Sequence, residues 1–286
     1  MALLKTTAFP KAKAAKKGFL FGADPELFVY RKGELVSAHD LLPGTKKEPY
    51  KVKQGAVQVD GTAAEFNIDP AATFEEFNDN IETVLAELKA LLPKDAELRA
   101  VSAVRYEPEY FRELPEVATE LGCMPDFNAW TGRVNPPPHL PDDPTLRTAS
   151  GHLHIGWTKD TDMTSLQHLL ACQDLVKQLD WYLGAWSVET DPDNTRRGLY
   201  GKAGACRYKP YGVEYRVLSN FWVMDEGLRL QVWNRMQRAI NAMRTNHLPT
   251  AFPEDVQEML VEAINKGSIN DALRFGYLAP MELLAA

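Results

Sequence analysis

Gly151-His152-Leu153-His154-Ile155-Gly156 alternates imidazole and aliphatic side chains between two glycines. Successive side chains of a β-strand point to opposite faces. Read as a strand, the stretch puts His152 and His154 on one face and Leu153 and Ile155 on the other. The same test, applied outward along the chain, finds three companions. Asp24 and Glu26 share a face in Gly22-Ala23-Asp24-Pro25-Glu26-Leu27. Glu65 and Asn67 share one in Asp60-Gly61-Thr62-Ala63-Ala64-Glu65-Phe66-Asn67. Glu214 and Arg216 share one, opposed by Val213, Tyr215 and Val217.

The rest of the chain sorts around these segments. Residues 19–37 read as a hairpin turning at Lys32-Gly33, and residues 56–68 as a second one turning at Asp60-Gly61. Phe74, Phe77, Ile81, Val84, Leu85, Leu88 and Leu91 recur at helical spacing, with Thr73 and Glu76 as a capping box and Pro93 as the stop. Residues 98–106 read as a strand. The proline-rich stretch 107–149, with Pro136-Pro137-Pro138, reads as a long irregular loop, ordered by Phe127 and Trp130. Helices are expected over 162–186, 225–245 and within 253–275, with a strand over 213–219. Strands come early and helices late, without βαβ alternation. That order predicts an α+β fold, a curved antiparallel sheet with helices packed on one face. The expected organisation is a basic arm over 1–17, one catalytic domain over 18–250 and a helical extension over 251–286.

Composition narrows the class. The chain has 286 residues, 45% of them hydrophobic, and a net charge of -7. An acidic chain is not expected to offer a large nucleic-acid surface. Lys5, Lys11, Lys13, Lys16 and Lys17 make the N-terminal arm basic, which reads as a solvated tail. No apolar stretch is long enough to span a membrane. Three widely spaced cysteines, Cys123, Cys172 and Cys206, suit free thiols in a cytoplasm better than a disulfide framework.

Each polar segment alone has a bland reading. Asp-x-Glu is usually a solvated strand face, Asp-Gly a turn, and Glu-x-Arg a cross-strand ion pair. On one sheet they gather carboxylates, imidazoles and an arginine, and carboxylates crowd together only at a cost that cations relieve. Oxygen ligands with an imidazole suit Mg²⁺ or Mn²⁺, and such ions carry ATP phosphates. A second cluster, Arg196-Arg197-Gly198-Leu199-Tyr200-Gly201-Lys202-Ala203-Gly204-Ala205-Cys206-Arg207, mixes cations and glycines. It is no Walker loop, since no Gly-Lys-Ser/Thr occurs. It reads either as an exposed basic loop or as one facing a triphosphate, with Arg196, Arg197, Lys202 and Arg207 as contacts.

These motifs, together with Leu121-Gly122-Cys123-Met124-Pro125-Asp126-Phe127-Asn128-Ala129-Trp130 and in this order over roughly residues 18–245, resemble the phage-type carboxylate–amine ligases of the glutamine-synthetase-like amidoligases. The resemblance implies a sheet curved around ATP. It implies metal ligands at Glu26 and Glu65, with Asp24 at the other place of an acidic pair, and at Glu214. It implies a metal or nucleotide contact on the histidine strand, His154 before His152. Arg216 would steady the transferred phosphoryl group, with Arg207 as a second phosphate contact. Asp60 or Asp126 would take the proton from the amine.

The implied reaction joins a small-molecule or peptide carboxylate to an amine through an acyl phosphate. The loop at 121–138, with Asp126, Asn128, Trp130 and Arg133, is the expected substrate lid. Two other readings remain open: a guanidino (phosphagen-type) kinase, or a virion protein that kept the fold without the chemistry. A homo-oligomer is compatible with any of them, and a phage-encoded chain would work in the host cytoplasm.

Overall fold

The structure, a computed structural model, describes residues 18–120, 126–137, 143–191, 193–245 and 247–276. The basic arm, Cys123 and the residues after 276 lie outside the described residues. Strands β1 (Leu20–Arg31), β2 (Glu34–Val36), β3 (Tyr50–Val52), β4 (Gly55–Asp60) and β5 (Ala63–Ile68) precede helix α1 (Phe74–Leu91). Strands β6 (Ala96–Arg99) and β7 (Ala103–Arg105) and short helices α2 (Pro108–Glu113) and α3 (Glu116–Thr119) follow. Strands β8 (Phe127–Asn128), β9 (Arg133–Val134), β10 (Leu146–Thr148) and β11 (Gly151–Gly156) lead into helix α4 (Leu166–Leu179). A π-helical segment, Asp180–Gly184, joins α4 to α5 (Ala185–Thr190). The remaining elements are α6 (Thr195–Leu199), β12 (Ala205–Lys209), β13 (Gly212–Tyr215), α7 (Glu226–Arg244), α8 (Glu254–Lys266) and α9 (Ile269–Gly276).

The main sheet runs β3-β4-β5-β1-β11-β13-β12-β8-β9, antiparallel throughout, with β2 and β6 on the second half of β1. Alternation decides its two faces. Phe21, Ala23 and Leu27 of β1, Leu153 and Ile155 of β11, and Val213 and Tyr215 of β13 are buried against the helices. Each Phe, Leu, Ile or Val among them contributes about 1.5–3 kcal/mol on burial. Phe21 meets Trp233 of α7 at 4.7 Å, and Phe77 of α1 stacks on Trp222 at 6.1 Å. Mixed α/β architecture with helices behind an antiparallel sheet is what the alternation predicts.

Both early hairpins form, and Gly61 takes φ 57° in the two-residue turn between β4 and β5. Helix α1 is capped by Thr73 Oγ1, which accepts from the Glu76 amide. Three expectations need correction. The strand over 98–106 is two strands, β6 and β7, which join different partners. The irregular stretch 107–149 contains α2, α3 and strands β8 to β10. The basic glycine cluster is helix α6, a connection, and strand β12, which is laddered to both β13 and β8. The helices after residue 250 pack into the same core: Trp181 meets Phe252 at 4.8 Å and Phe275 at 4.9 Å.

Candidate active site

Register brings the polar residues together. Asp24 stands opposite His152 and Gly22 opposite His154 across β1 and β11. His154 stands opposite Glu214, and Glu214 opposite Arg207. Glu26 stands opposite Glu65, which stands opposite Gln58. Paired residues share a face. The solvent face of five adjacent strands therefore carries one continuous band of ionisable side chains.

At its centre, ligand atoms of Asp24, His154 and Glu214 lie within 4.8 Å of one another. His154 Nε2 is 3.1 Å from Asp24 Oδ1, and His154 Nδ1 is 2.5 Å from the Tyr211 hydroxyl. Burial pushes the Asp24 carboxyl up. The charge of His154 and the close approach of both histidines outweigh it and hold the carboxyl well below its usual range. Burial opposes the charge on His154, and Asp24 reverses that and raises it. Two carboxylates and an imidazole at this spacing are a donor set that a divalent cation accepts. Asp24 Oδ1 and His154 Nε2 border the place where such a cation would bind.

His152 differs from its neighbour. Arg216 Nη1 lies 3.1 Å from His152 Nδ1, and a guanidinium can only donate. Burial first, and then the Arg216 charge, hold His152 down to about 4. It is a neutral acceptor at neutral pH.

Glu26 and Glu65 form a second acidic group. Glu26 Oε2 accepts from the Ser150 amide at 2.7 Å, and Glu65 Oε2 accepts from Gln58 Nε2 at 2.6 Å. Burial and the Asp60 charge push Glu26 up to about 7. Burial, with Asp24 and Glu26 beside it, pushes Glu65 well above the usual range. Lys46 answers part of this charge by pairing with Asp60 at 2.6 Å. A second cation between Glu26 and Glu65 would relieve the burial and repulsion that disfavour their charged forms.

Cations face the carboxylates. Arg216 Nε donates to Asp126 Oδ1 at 2.7 Å, and its Nη1 bonds Glu214. Lys209 Nζ pairs with Glu214 Oε2 at 2.7 Å. Although burial and Asp24 raise Glu214, Arg216 and the two histidines hold it down at about 2. Arg207 Nε lies 3.7 Å from Asp126 Oδ1. Arg196 donates to the Val217 and Arg216 carbonyls at 2.8 and 3.0 Å and borders the cleft. Acidic and cationic walls enclose a cleft of about 480 Å³. Beyond His154 lies an apolar pocket of about 570 Å³, lined by Leu20, Phe21, Ile68, Trp157 and Tyr211.

The band therefore unites Asp24, Glu26, Asp60, Glu65, His152, His154, Arg196, Arg207, Glu214 and Arg216, with Asp126 reaching in through Arg216. Other predicted residues are placed elsewhere. Arg197 donates to the Asp191 carbonyl at 2.7 Å and to Ser187 Oγ at 3.0 Å, bracing buried helix ends. Asn128 builds a turn, its Oδ1 accepting from the Trp130 amide at 2.9 Å. Trp130 points behind the sheet, where its indole Nε1 donates to Asp180. Arg133 is exposed on edge strand β9, and Lys202 does not line the cleft. Lys46, Gln58, Ser150, Lys209 and Tyr211 join the site without having been singled out from sequence. Lys209 lies two residues from Arg207 on β12, a spacing that carries a signal only once that segment is known to be a strand; Lys46 lies in a loop and carries no local signal.

No family model matches the chain, and no curated protein matches it in sequence. Among solved structures, the crystal structure of a bifunctional glutathione synthetase from Pasteurella multocida is similar to it at a TM-score of 0.42 and 10% identity. The match covers 90% of this chain and 48% of that one, so the chain spans about half the length of that protein.

Proposed function

We propose that the chain is an ATP-dependent carboxylate–amine ligase on a glutamine-synthetase-like sheet, with residues 18–250 as its catalytic domain. One relationship carries this reading: a carboxylate–imidazole triad and a carboxylate pair stand on the same sheet face as Arg207, Lys209 and Arg216. A simple anion site has no use for the first set, and a simple cation site has no use for the second. A metal-bound polyphosphate needs both.

Asp24, His154 and Glu214 would hold one Mg²⁺ or Mn²⁺, and Glu26 with Glu65 a second. When bound, these ions neutralise the phosphate oxygens and make the γ-phosphorus open to attack. The remaining work falls to this chain's own side chains. The apolar pocket beyond His154 would take the base, which would direct the triphosphate across the histidine strand toward Arg216. Arg216 and Arg207 face the oxygens of the phosphoryl group as it passes to the substrate carboxylate. Catalysis of this kind is mainly positioning and charge stabilisation. Asp60, which already holds the Lys46 ammonium, is the carboxylate placed to receive an amine at the cleft's other end.

The experiment is a screen of carboxylate and amine pairs for ADP release with Mg²⁺, followed by mass detection of the conjugate. An amide product supports the reading. A phosphorylated guanidine without an amide would instead identify a kinase, and the absence of Mg²⁺-dependent ATP binding by calorimetry would overturn both.

A further inference from the structure

Asp180 is fully buried behind the sheet, and among the described residues no cation pairs with it. Its two oxygens accept three hydrogen bonds. Oδ2 accepts from the Trp130 indole at 2.6 Å and from the Gly204 amide at 2.7 Å. Oδ1 accepts from the Tyr215 hydroxyl at 2.8 Å. The carboxylate sits at the first residue of the π-helical segment, which interrupts the run from α4 to α5. Such bulges cost helix regularity and often accompany functional sites.

The three donors come from three separate segments, each bearing a polar residue of the cleft. Trp130 follows Asp126 in the β8 loop. Gly204 leads into β12, which bears Arg207. Tyr215 stands between Glu214 and Arg216. On the cleft side those residues meet as one cluster: Arg216 Nε to Asp126 Oδ1 at 2.7 Å, and Arg207 Nη1 to Glu214 Oε1 at 4.0 Å. A single carboxylate thus ties, from behind, the three segments whose front faces make the cationic wall.

The packing leaves the tie little freedom. A Cβ on Gly184 would come within 3.0 Å of the Tyr215 hydroxyl and 3.2 Å of Asp180 Oδ1. Gly204 sits at φ 78°, and a Cβ there would lie 2.7 Å from both Asn128 Oδ1 and Trp130 Cδ1. A buried carboxylate is costly unless it is hydrogen-bonded, and the three donors that meet Asp180 would themselves be left unpaired without it.

We propose that Asp180 is a positioning residue, which sets the register of Arg216, Arg207 and Asp126 through Tyr215, Gly204 and Trp130. The function assigned to the arginines rests on the ligase reading; the mechanical tie does not. Trp130→Phe and Tyr215→Phe each remove one donor and keep the ring. In Asp180→Asn the amide oxygen can still accept from Trp130 and Gly204, while its NH₂ donates to a reversed Tyr215 hydroxyl.

Two measurements on the full chain separate the claims. The first is amide hydrogen exchange of Ala129, Gly132 and Asn135, whose bonds to Gly204, Asn128 and Asp126 hold the loop. Trp130→Phe and Asp180→Ala should speed exchange there about tenfold, and Asp180→Asn should do so less. The second is kinetic. Each donor variant should lower kcat about tenfold, the worth of one hydrogen bond to a charged acceptor, with KM for ATP within about twofold. Folded donor variants with native exchange and native kcat would overturn the proposal. So would equal loss of kcat and ATP affinity in Asp180→Asn, which would mark a plain structural brace. A wild-type chain with no nucleotide turnover would sink the ligase reading, and the exchange measurement would still decide the tie.

Discussion

Arg216 Nε donates to Asp126 Oδ1 at 2.7 Å, binding the residue after β13 to the start of the β8 loop 90 positions earlier. Residues 126–137, the described part of the loop expected as a substrate lid, are therefore anchored to the sheet. They are anchored by an ion pair in front, by the Trp130 indole behind, and by the short β8–β12 ladder between them.

This pair makes the arginine testable without confusion from misfolding. Arg216→Ala would take from buried Asp126 the guanidinium that is hydrogen-bonded to it, a loss of about 3 kcal/mol or more. Arg216→Lys keeps the charge and loses the planar fork. Arg216→Lys should lower ADP release at least tenfold and leave ATP affinity within a few-fold, as read by turnover and calorimetry. Equal losses in both would reduce Arg216 to a nucleotide-binding group.

Glu65→Gln separates stability from activity in opposite directions. Burial and the neighbouring charges of Asp24 and Glu26 disfavour the ionised Glu65 carboxylate. A neutral amide of the same shape removes that repulsion, and its oxygen still accepts from Gln58 Nε2. In metal-free buffer the variant should melt higher than wild type, by a few degrees. Its Mg²⁺-dependent turnover should vanish. Normal turnover would remove Glu65 from the metal site.

The pH dependence of stability follows from the same charges. Below about pH 6.5 two effects oppose each other. Glu26, raised from 4.5 to about 7 by burial and Asp60, binds more protons folded than unfolded, so stability falls as pH rises. His152, lowered from 6.5 to about 4 by burial and Arg216, binds fewer, so stability rises with pH. Above pH 6.5 only the first kind remains. Glu26 and Glu65, with Asp180 pushed up to about 7 by burial, go on losing protons that the folded state favoured, and His154, raised by Asp24, does the same. Tm should therefore fall between about pH 6.5 and 8.5 in metal-free buffer. Mg²⁺ should restore it more at pH 8.5 than at pH 6. A Tm that stays flat, or a metal effect that is independent of pH, would refute the electrostatic account.

Much of this was legible because strand alternation is a local code. Asp24 and Glu26, His152 and His154, and Glu214 and Arg216 needed only the two-residue period to be put on one face. Their register across strands needed the structure. β12 was misread because glycines at 198, 201 and 204 and a run of cations look like a loop; the ladder to β13 and β8 is a long-range property. Arg197 looked like its neighbour Arg196 in sequence, yet they point to different layers. Asp180 was hidden inside a leucine-spaced helix, and a π-helical segment has no signature that composition reveals.

The apolar pocket gives the last prediction, since it can be filled without disturbing the triad's own atoms. Gly22 faces His154 across the β1–β11 ladder and lines the pocket. A Cβ built there would meet only His154 Cβ at 3.5 Å and the Ile68 carbonyl at 3.9 Å, ordinary van der Waals distances. The strand therefore tolerates a side chain, and a larger one extends into the pocket. Gly22→Leu should fold with a Tm close to wild type and retain the metal ligands. If the pocket takes the base of ATP, KM for ATP should rise at least tenfold, while binding of Mn²⁺, read by its paramagnetic effect on water relaxation, stays the same. An unchanged KM would place the nucleotide elsewhere along the sheet. Loss of Mn²⁺ binding together with ATP binding would show that Gly22 serves His154 and not the pocket.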